Sequence, residues 1–174
     1  MDLKKNLMLF LVIVIVVAFF LPWISVESAV VGKVSKILTG KTQATIGSVS
    51  GFKVPILANS EESRLMIAVI KIFQPDITNA DKKSFLIWMV PLLAVVIFLV
   101  GNAPKTNQWI RLVFGVLGIL IFVGVTYKII TTDLDKMIIK VNIEYGLWLI
   151  IFGYLGIGIL QIGEFLKLRK FSER

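Results

Sequence analysis

The residues of this sequence best suited to charge chemistry are Arg111, Gln161 and Glu164. Each stands near the end of a long apolar run, where a charged or polar group persists only if it is paired or reaches polar headgroups. Arg111 has the reach to snorkel outward along its own stem. The three residues share one depth, so a candidate inner-side polar clamp between Arg111 and Gln161 or Glu164 across a helix bundle is expected. An ion or proton path would need further polar groups at mid-depth, and the centres of the apolar runs carry no charged residue.

Other chemistry is thin. Asp133-Leu134-Asp135 offers two carboxylates, but residues two apart do not share a helix face, and no third ligand accompanies them. The chain has no cysteine and no histidine. Disulfides, thiol nucleophiles, His-ligated haem and the usual zinc sites are therefore excluded, as is the side chain best fitted to proton transfer near neutral pH. The serines lack an evident base in the sequence pattern. The expectation is a protein that is not an enzyme, with no catalytic, cofactor-binding or metal-binding residues, no cofactor and no small-molecule substrate.

The elements that would position Arg111, Gln161 and Glu164 belong to a membrane. Of 174 residues, 57% are apolar and 17% charged, with a mean hydropathy of +0.89. A soluble domain averages about 45–50% apolar and about 25% charged. Four apolar runs stand out at about 7–26, 85–101, 109–127 and 146–163. A run of about 20 residues covers the hydrocarbon thickness as a helix, and an open-ended span must be helical because its backbone polar groups have no other partners there. The runs do not alternate in polarity as barrel strands do. The fold expected is an all-α membrane protein, a four-transmembrane-helix bundle with a small β-containing extracytoplasmic cap, forming a single membrane domain over residues 1–174.

The first run, Leu7–Val26, follows Asp2-Leu3-Lys4-Lys5 and so invites a signal-peptide reading. Its length exceeds the 7–15 residues or so of a signal-peptide core, so it is read as a retained span. Eight Lys and Arg flank the ends of the spans that would face the cytoplasm: Lys4, Lys5, Lys105, Arg111, Lys167, Arg169, Lys170 and Arg174. The loop 27–84 holds as many, but its length weakens their influence on orientation. Both termini are therefore placed in the cytoplasm of a bacterial or archaeal plasma membrane. The net charge of +8 points to anionic lipid headgroups rather than nucleic acid, since no basic stripe interleaved with aromatics is present. Trp23, Trp88 and Trp148 then serve as outer interface anchors, and Trp109 as an inner one.

Residues 27–84 read as the extracytoplasmic cap. Thr42–Ile46 and Phe52–Leu57 are candidate strands joined by a turn at Gly47–Gly51, with an earlier strand at Val30–Leu38 and a turn at Gly40-Lys41. Pro55, which has no backbone donor, places the Phe52–Leu57 strand at an edge. Asn59-Ser60-Glu61-Glu62 has a capping-box pattern. It leads into an amphipathic helix at about 60–73 in which Leu65, Met66, Val69, Ile70 and Phe73 recur at helical spacing. A second outer segment, 128–145, carries Ile129, Ile130, Leu134, Met137, Ile138 and Val141 at the same spacing and is expected to prolong the third span. Pro22 and Pro91 are expected to kink the first and second spans.

Glycines point to helix packing. Gly146, Gly153, Gly156 and Gly163 fall on one stripe of the fourth span, and Gly115 and Gly118 on one face of the third. Small residues let membrane helices approach closely, so a contact between the third and fourth spans would engage both sets.

Leu21-Pro22-Trp23-Ile24-Ser25-Val26, with Ser50-Gly51-Phe52 later, resembles a group of uncharacterised bacterial four-span membrane proteins that carry a Pro-Trp-x-Ser segment after the first span and a Ser-Gly turn before the second. The match covers roughly the first hundred residues and brings no activity with it. The order of elements is also similar to the claudin plan by architecture only, because the claudin signature requires two cysteines in the first outer loop. The function expected is that of a structural, accessory or assembly subunit of a membrane protein complex, partnered by the lipid bilayer and by other membrane subunits or itself. Claudin-like homotypic assembly or adhesion and a small channel or transporter component are the alternatives.

Overall fold

The structure is a computed structural model that describes residues 3–28, 45–58, 85–103, 106–131 and 139–172. Helix α1 (Leu3–Phe20) leads into strand β1 (Pro22–Ser28). Strand β2 (Thr45–Ser50) and the short helix α2 (Lys53–Ala58) follow. A 3-10 turn, Phe85–Trp88, runs into α3 (Met89–Gly101). Helix α4 (Gln108–Thr131), strand β3 (Ile139–Ile143) and helix α5 (Tyr145–Ser172) complete the order. The described chain is mostly helical, and three of its helical stretches are long and apolar enough to cross a membrane: Leu3–Phe20, Gln108–Thr131 and Tyr145–Lys167. Phe85–Gly101 is a shorter apolar stretch.

The chain divides into two compact units. The helical unit comprises Met1–Ala18, Met89–Tyr127 and Leu149–Arg174; the sheet unit comprises Phe19–Trp88 and Lys128–Trp148.

In the helical unit α5 is the common partner. Its buried residues Ile150, Tyr154, Ile157, Gln161 and Phe165 recur every three or four positions, the period of one helix face. Helix α1 turns Met8, Val12, Ile15 and Ala18 inward and leaves Phe10, Ile13 and Val17 exposed. Helix α3 buries Ala94, Ile97 and Gly101. Helix α4 buries only Gly115 and Gly118, while Val113, Leu120, Val123 and Ile130 are exposed. A bilayer would remove the penalty that water imposes on such a surface.

In the sheet unit the strand order is β2-β1-β3, antiparallel throughout. In register, Ser25 faces Ser48 and Asn142, and Ile24 faces Val49 and Ile143. Pro22 opens β1 rather than loosening the last turn of a span. Its missing donor matters least at the first residue of a strand.

Several expectations are corrected here. Phe52–Leu57 is not a strand. Lys53–Ala58 is helical, and Pro55 lies in its first turn, where a missing N–H breaks no helical bond. Gly47 to Ser50 are not a turn but the body of β2; the chain reverses at Gly51-Phe52, and Phe52 N–H donates to Phe19 O at 3.2 Å. Pro91 falls in the first turn of α3, just after the change from 3-10 to α geometry. Helix α4 does pass residue 127 and reaches Thr131, but Ile139–Ile143 pairs with β1 as a strand, because β-branched residues suit a pleated surface better than a helix. Val30–Leu38, the Gly40-Lys41 turn, Thr42 to Ala44, the helix at 60–73 and Asp133-Leu134-Asp135 lie outside the described residues.

Gly51 ties the turn to the sheet unit's aromatic core. Trp23 is 7% exposed and packs edge-on to Phe19 at 5.7 Å. A Cβ on Gly51 would run into the Trp23 indole. Gly51→Ala is expected to destabilise the sheet unit by about 1–3 kcal/mol, the usual range for overpacking. The companion Trp23→Phe substitution, which shortens the ring, should recover part of the loss. Denaturant unfolding followed by near-ultraviolet circular dichroism checks both.

Candidate functional site

The polar residues of the helical unit converge where α1 begins, α4 begins and α5 nears its end. Arg111 lies in the first turn of α4, two residues after Trp109, whose backbone N–H is capped by Asn107 Oδ1 at 3.1 Å. The guanidinium donates from Nη1 to Glu164 Oε1 at 2.5 Å. Lys4 of α1 forms an ion pair with the other carboxylate oxygen, Oε2. One acid is thus shared by two cations from two other helices, and all three side chains are largely enclosed. Charge-assisted bonds of this kind are stronger than neutral ones. The enclosed Arg111 Nε has no acceptor among the described residues.

Gln161, one turn before Glu164, takes a different role from the one expected. It is fully buried and does not bond to Arg111. Its Nε2 donates to the Met8 thioether at 3.4 Å. Asn102 Nδ2 approaches the same sulfur at 3.3 Å and donates to Phe98 O at 2.8 Å. A Cβ at Gly101 would strike the Gln161 amide, so α3 reaches α5 here only because residue 101 has no side chain. Gln161 Oε1 is buried without a donor among the described residues. Lys4, Met8 and Asn102 escaped the sequence reading. Lys4 alone carried a signal, since it is a cation at the same end of the chain's first span.

The expected glycine seam is rearranged. Gly115 and Gly118 of α4 do meet α5, but their partners are Gly158, Tyr154 and Ile162. Gly153 and Gly156 face Ile15 and Leu11 of α1 instead. Gly146 lies in the sheet unit, where a Cβ would collide with the Pro22 carbonyl. Gly163 has open space around its Cβ direction. Gly158, absent from the expected set, is the centre of the α4–α5 contact.

Of the four tryptophans, Trp109 is 59% exposed and sits 5.5 Å from the Phe165 ring, while Trp88 is 38% exposed and stacks on Phe52 at 5.9 Å. Trp148 is half-buried. Trp23 does not present its ring to a headgroup layer, because the aromatic core of the sheet unit encloses it.

The sheet unit supplies one contact that the sequence hid. Ser25 Oγ donates to Glu144 Oε1 at 2.6 Å, and Glu144 N–H donates to Trp23 O at 2.8 Å. Glu144 immediately precedes α5 and its carbonyl accepts from Leu147 N–H at 3.3 Å. The residue thus joins the start of that helix to β1. A serine beside a carboxylate suggests nucleophile and base, yet Ser25 is 6% exposed within the sheet, which leaves a substrate carbonyl little access to Oγ. Among the described residues no three of His, Cys, Asp and Glu come together as a metal-holding group.

Together these features define a helical, membrane-type protein that carries a small antiparallel sheet. No known protein family, curated protein or solved structure matches the chain.

Proposed function

We propose that the chain is a non-catalytic integral membrane protein with four spans and both termini in the cytoplasm, acting as a structural, accessory or assembly subunit of a membrane protein complex. Phe85–Gly101 serves as the second span. Its 3-10 turn and α3 together extend about 28 Å, close to the roughly 30 Å hydrocarbon core. With both termini inside, the Lys4–Glu164–Arg111 cluster belongs to the inner side.

The observation that carries the subunit reading is α4. This helix of 24 residues buries only two glycines. It keeps a continuous apolar face, including Val116, Leu120 and Val123, available to another membrane protein. The polar groups of the helical unit are largely committed to one another across α1, α3, α4 and α5, as in a scaffold rather than a turnover site.

The test is site-specific photo-crosslinking from position 120 in native membranes, followed by purification in mild detergent. A discrete, stoichiometric heteromeric adduct larger than the 19.5 kDa chain is expected. Adducts with lipid alone would sink the proposal. Adducts with a second copy alone would favour homotypic assembly, and solute flux in liposomes holding only this chain would favour a channel.

A further inference from the structure

We infer that the helical unit holds a buried water molecule that accepts from Arg111 Nε–H and donates to Gln161 Oε1. The inference needs only the fold of this unit and stands apart from the subunit proposal. Its first support is a complementary pair of unmet groups. Gln161 is fully buried, and its Oε1 has no donor among the described residues. Arg111 Nε is likewise buried and has no acceptor among them. One group is a carbonyl oxygen that only accepts, and the other is an N–H that only donates. A buried polar group without a partner is costly, and native interiors rarely leave one so.

The second support is position. Arg111 bonds to Glu164, which follows Gln161 by three residues on α5. Residues three apart share a helix face, here about 4.5 Å apart along the axis. The two unmet atoms therefore belong to neighbouring positions on that face without bonding to each other. A water bridges polar atoms about 5–6 Å apart, twice the length of one hydrogen bond.

The third support selects the ligand. The molecule must accept and donate at once. A metal ion donates no hydrogen bond and is repelled by the guanidinium, while an anion is repelled by the carbonyl oxygen. The molecule must also be small, because Gln161 is 0% exposed and admits neither a lipid headgroup nor a side chain of another protein. Water meets both conditions, and internal waters are held by a few polar groups of this kind. The other end of the Gln161 amide donates to the Met8 thioether at 3.4 Å, and Asn102 Nδ2 approaches the same sulfur at 3.3 Å. The water thus joins the Lys4–Glu164–Arg111 ion pairs to the Met8–Gln161–Asn102 group, making one polar network across α1, α3, α4 and α5.

X-ray radiolysis of the full-length chain in mild detergent, read by mass spectrometry at Met8, provides the test. Radiolysis splits water into hydroxyl radicals, which oxidise a neighbouring thioether to the sulfoxide. Met8 is 0% exposed, so radicals formed in bulk solvent do not reach it, whereas a water on Gln161 lies at the far end of an amide that touches its sulfur. Wild-type Met8 should gain oxygen in proportion to dose. Gln161→Leu removes the acceptor and should abolish most of this label. Arg111→Lys keeps a cation facing Glu164 but lacks Nε–H, and should lower the label in part, an outcome that a merely steric effect at position 161 would not give. A wild-type Met8 that stays unlabelled, or a label that survives either substitution undiminished, would overturn the inference. If Gln161→Leu fails to fold by size-exclusion chromatography, the wild type and Arg111→Lys decide.

Discussion

Gly118→Leu frees α4 from α5, whereas Gly124→Leu leaves the pair intact. A Cβ at position 118 would lie 2.8 Å from the Tyr154 carbonyl oxygen, 3.2 Å from Gly158 N and 3.3 Å from Gly158 Cα. These are backbone atoms, which cannot turn aside as a flexible side chain can. The reverse contact is as close, since a Cβ on Gly158 would lie 2.9 Å from Gly115 O. Helix α4 buries no other residue; its further contacts with α5, the Arg111–Glu164 pair and the Trp109–Phe165 and Phe122–Phe152 rings, do not close the gap when the seam is forced open. Overpacking costs about 1–3 kcal/mol for small insertions, and a leucine at a backbone–backbone contact belongs at or above the top of that range. Gly124 has open space around its Cβ direction, and there the exchange removes the helix penalty of glycine, up to about 1 kcal/mol. In mixed micelles the SDS unfolding midpoint should fall sharply for Gly118→Leu and hold or rise for Gly124→Leu. Equal midpoints would show that the seam is not what holds α4.

The contrast between these two glycines also marks how far the sequence is legible. Three apolar runs announce helices long enough to span a bilayer, because uninterrupted apolar length is itself the signal. Which helix each face meets is not announced. In α4 and α5 apolar residues surround the axis, so hydrophobic periodicity selects no partner, and only the glycines remain as guides. They identified Gly115 and Gly118 as a contact face but set Gly153 and Gly156 opposite it, which meet α1, and passed over Gly158, which meets α4. The Arg111–Glu164 pair was legible because charges at the ends of apolar runs have few ways to be satisfied. Gln161 shared their depth but not their direction, since it turns toward Met8. The sheet was least legible. Strand β1 begins inside an apolar run that reads as helix, and β1 and β3 are joined across more than a hundred residues, a pairing that local patterns do not encode.

Tyr154 shows the same limit and carries the other large expected effect. It is the largest of the fully buried side chains, and nothing in its neighbourhood of the sequence distinguishes it from a headgroup-level tyrosine. Its hydroxyl donates to Val90 O, and the Ala94 backbone N–H lies within reach of the hydroxyl oxygen itself. The hydroxyl therefore sits at the Val90–Ala94 step of α3. Pro91 lies within that step, where it supplies no N–H. A side chain placed on the helical ladder is one of the ways in which a helix is bent or held open. The carbonyl of Tyr154 meanwhile lies at the α4 seam, so one residue serves α3 with its side chain and α4 with its backbone. Tyr154→Ala should cost about 3–5 kcal/mol, as buried aromatic truncations do. Tyr154→Phe keeps the packing and removes only the hydroxyl, so its cost should stay near the 0.6–1.7 kcal/mol or so measured for hydrogen bonds between membrane helices. The two variants separate ring from hydroxyl by unfolding midpoint. Hydrogen exchange adds a local readout, because Tyr154→Phe should speed exchange of the Ala94 amide more than that of Ile97. Uniform exchange along α3 in that variant would mean that the hydroxyl only fills space and does not hold the turn.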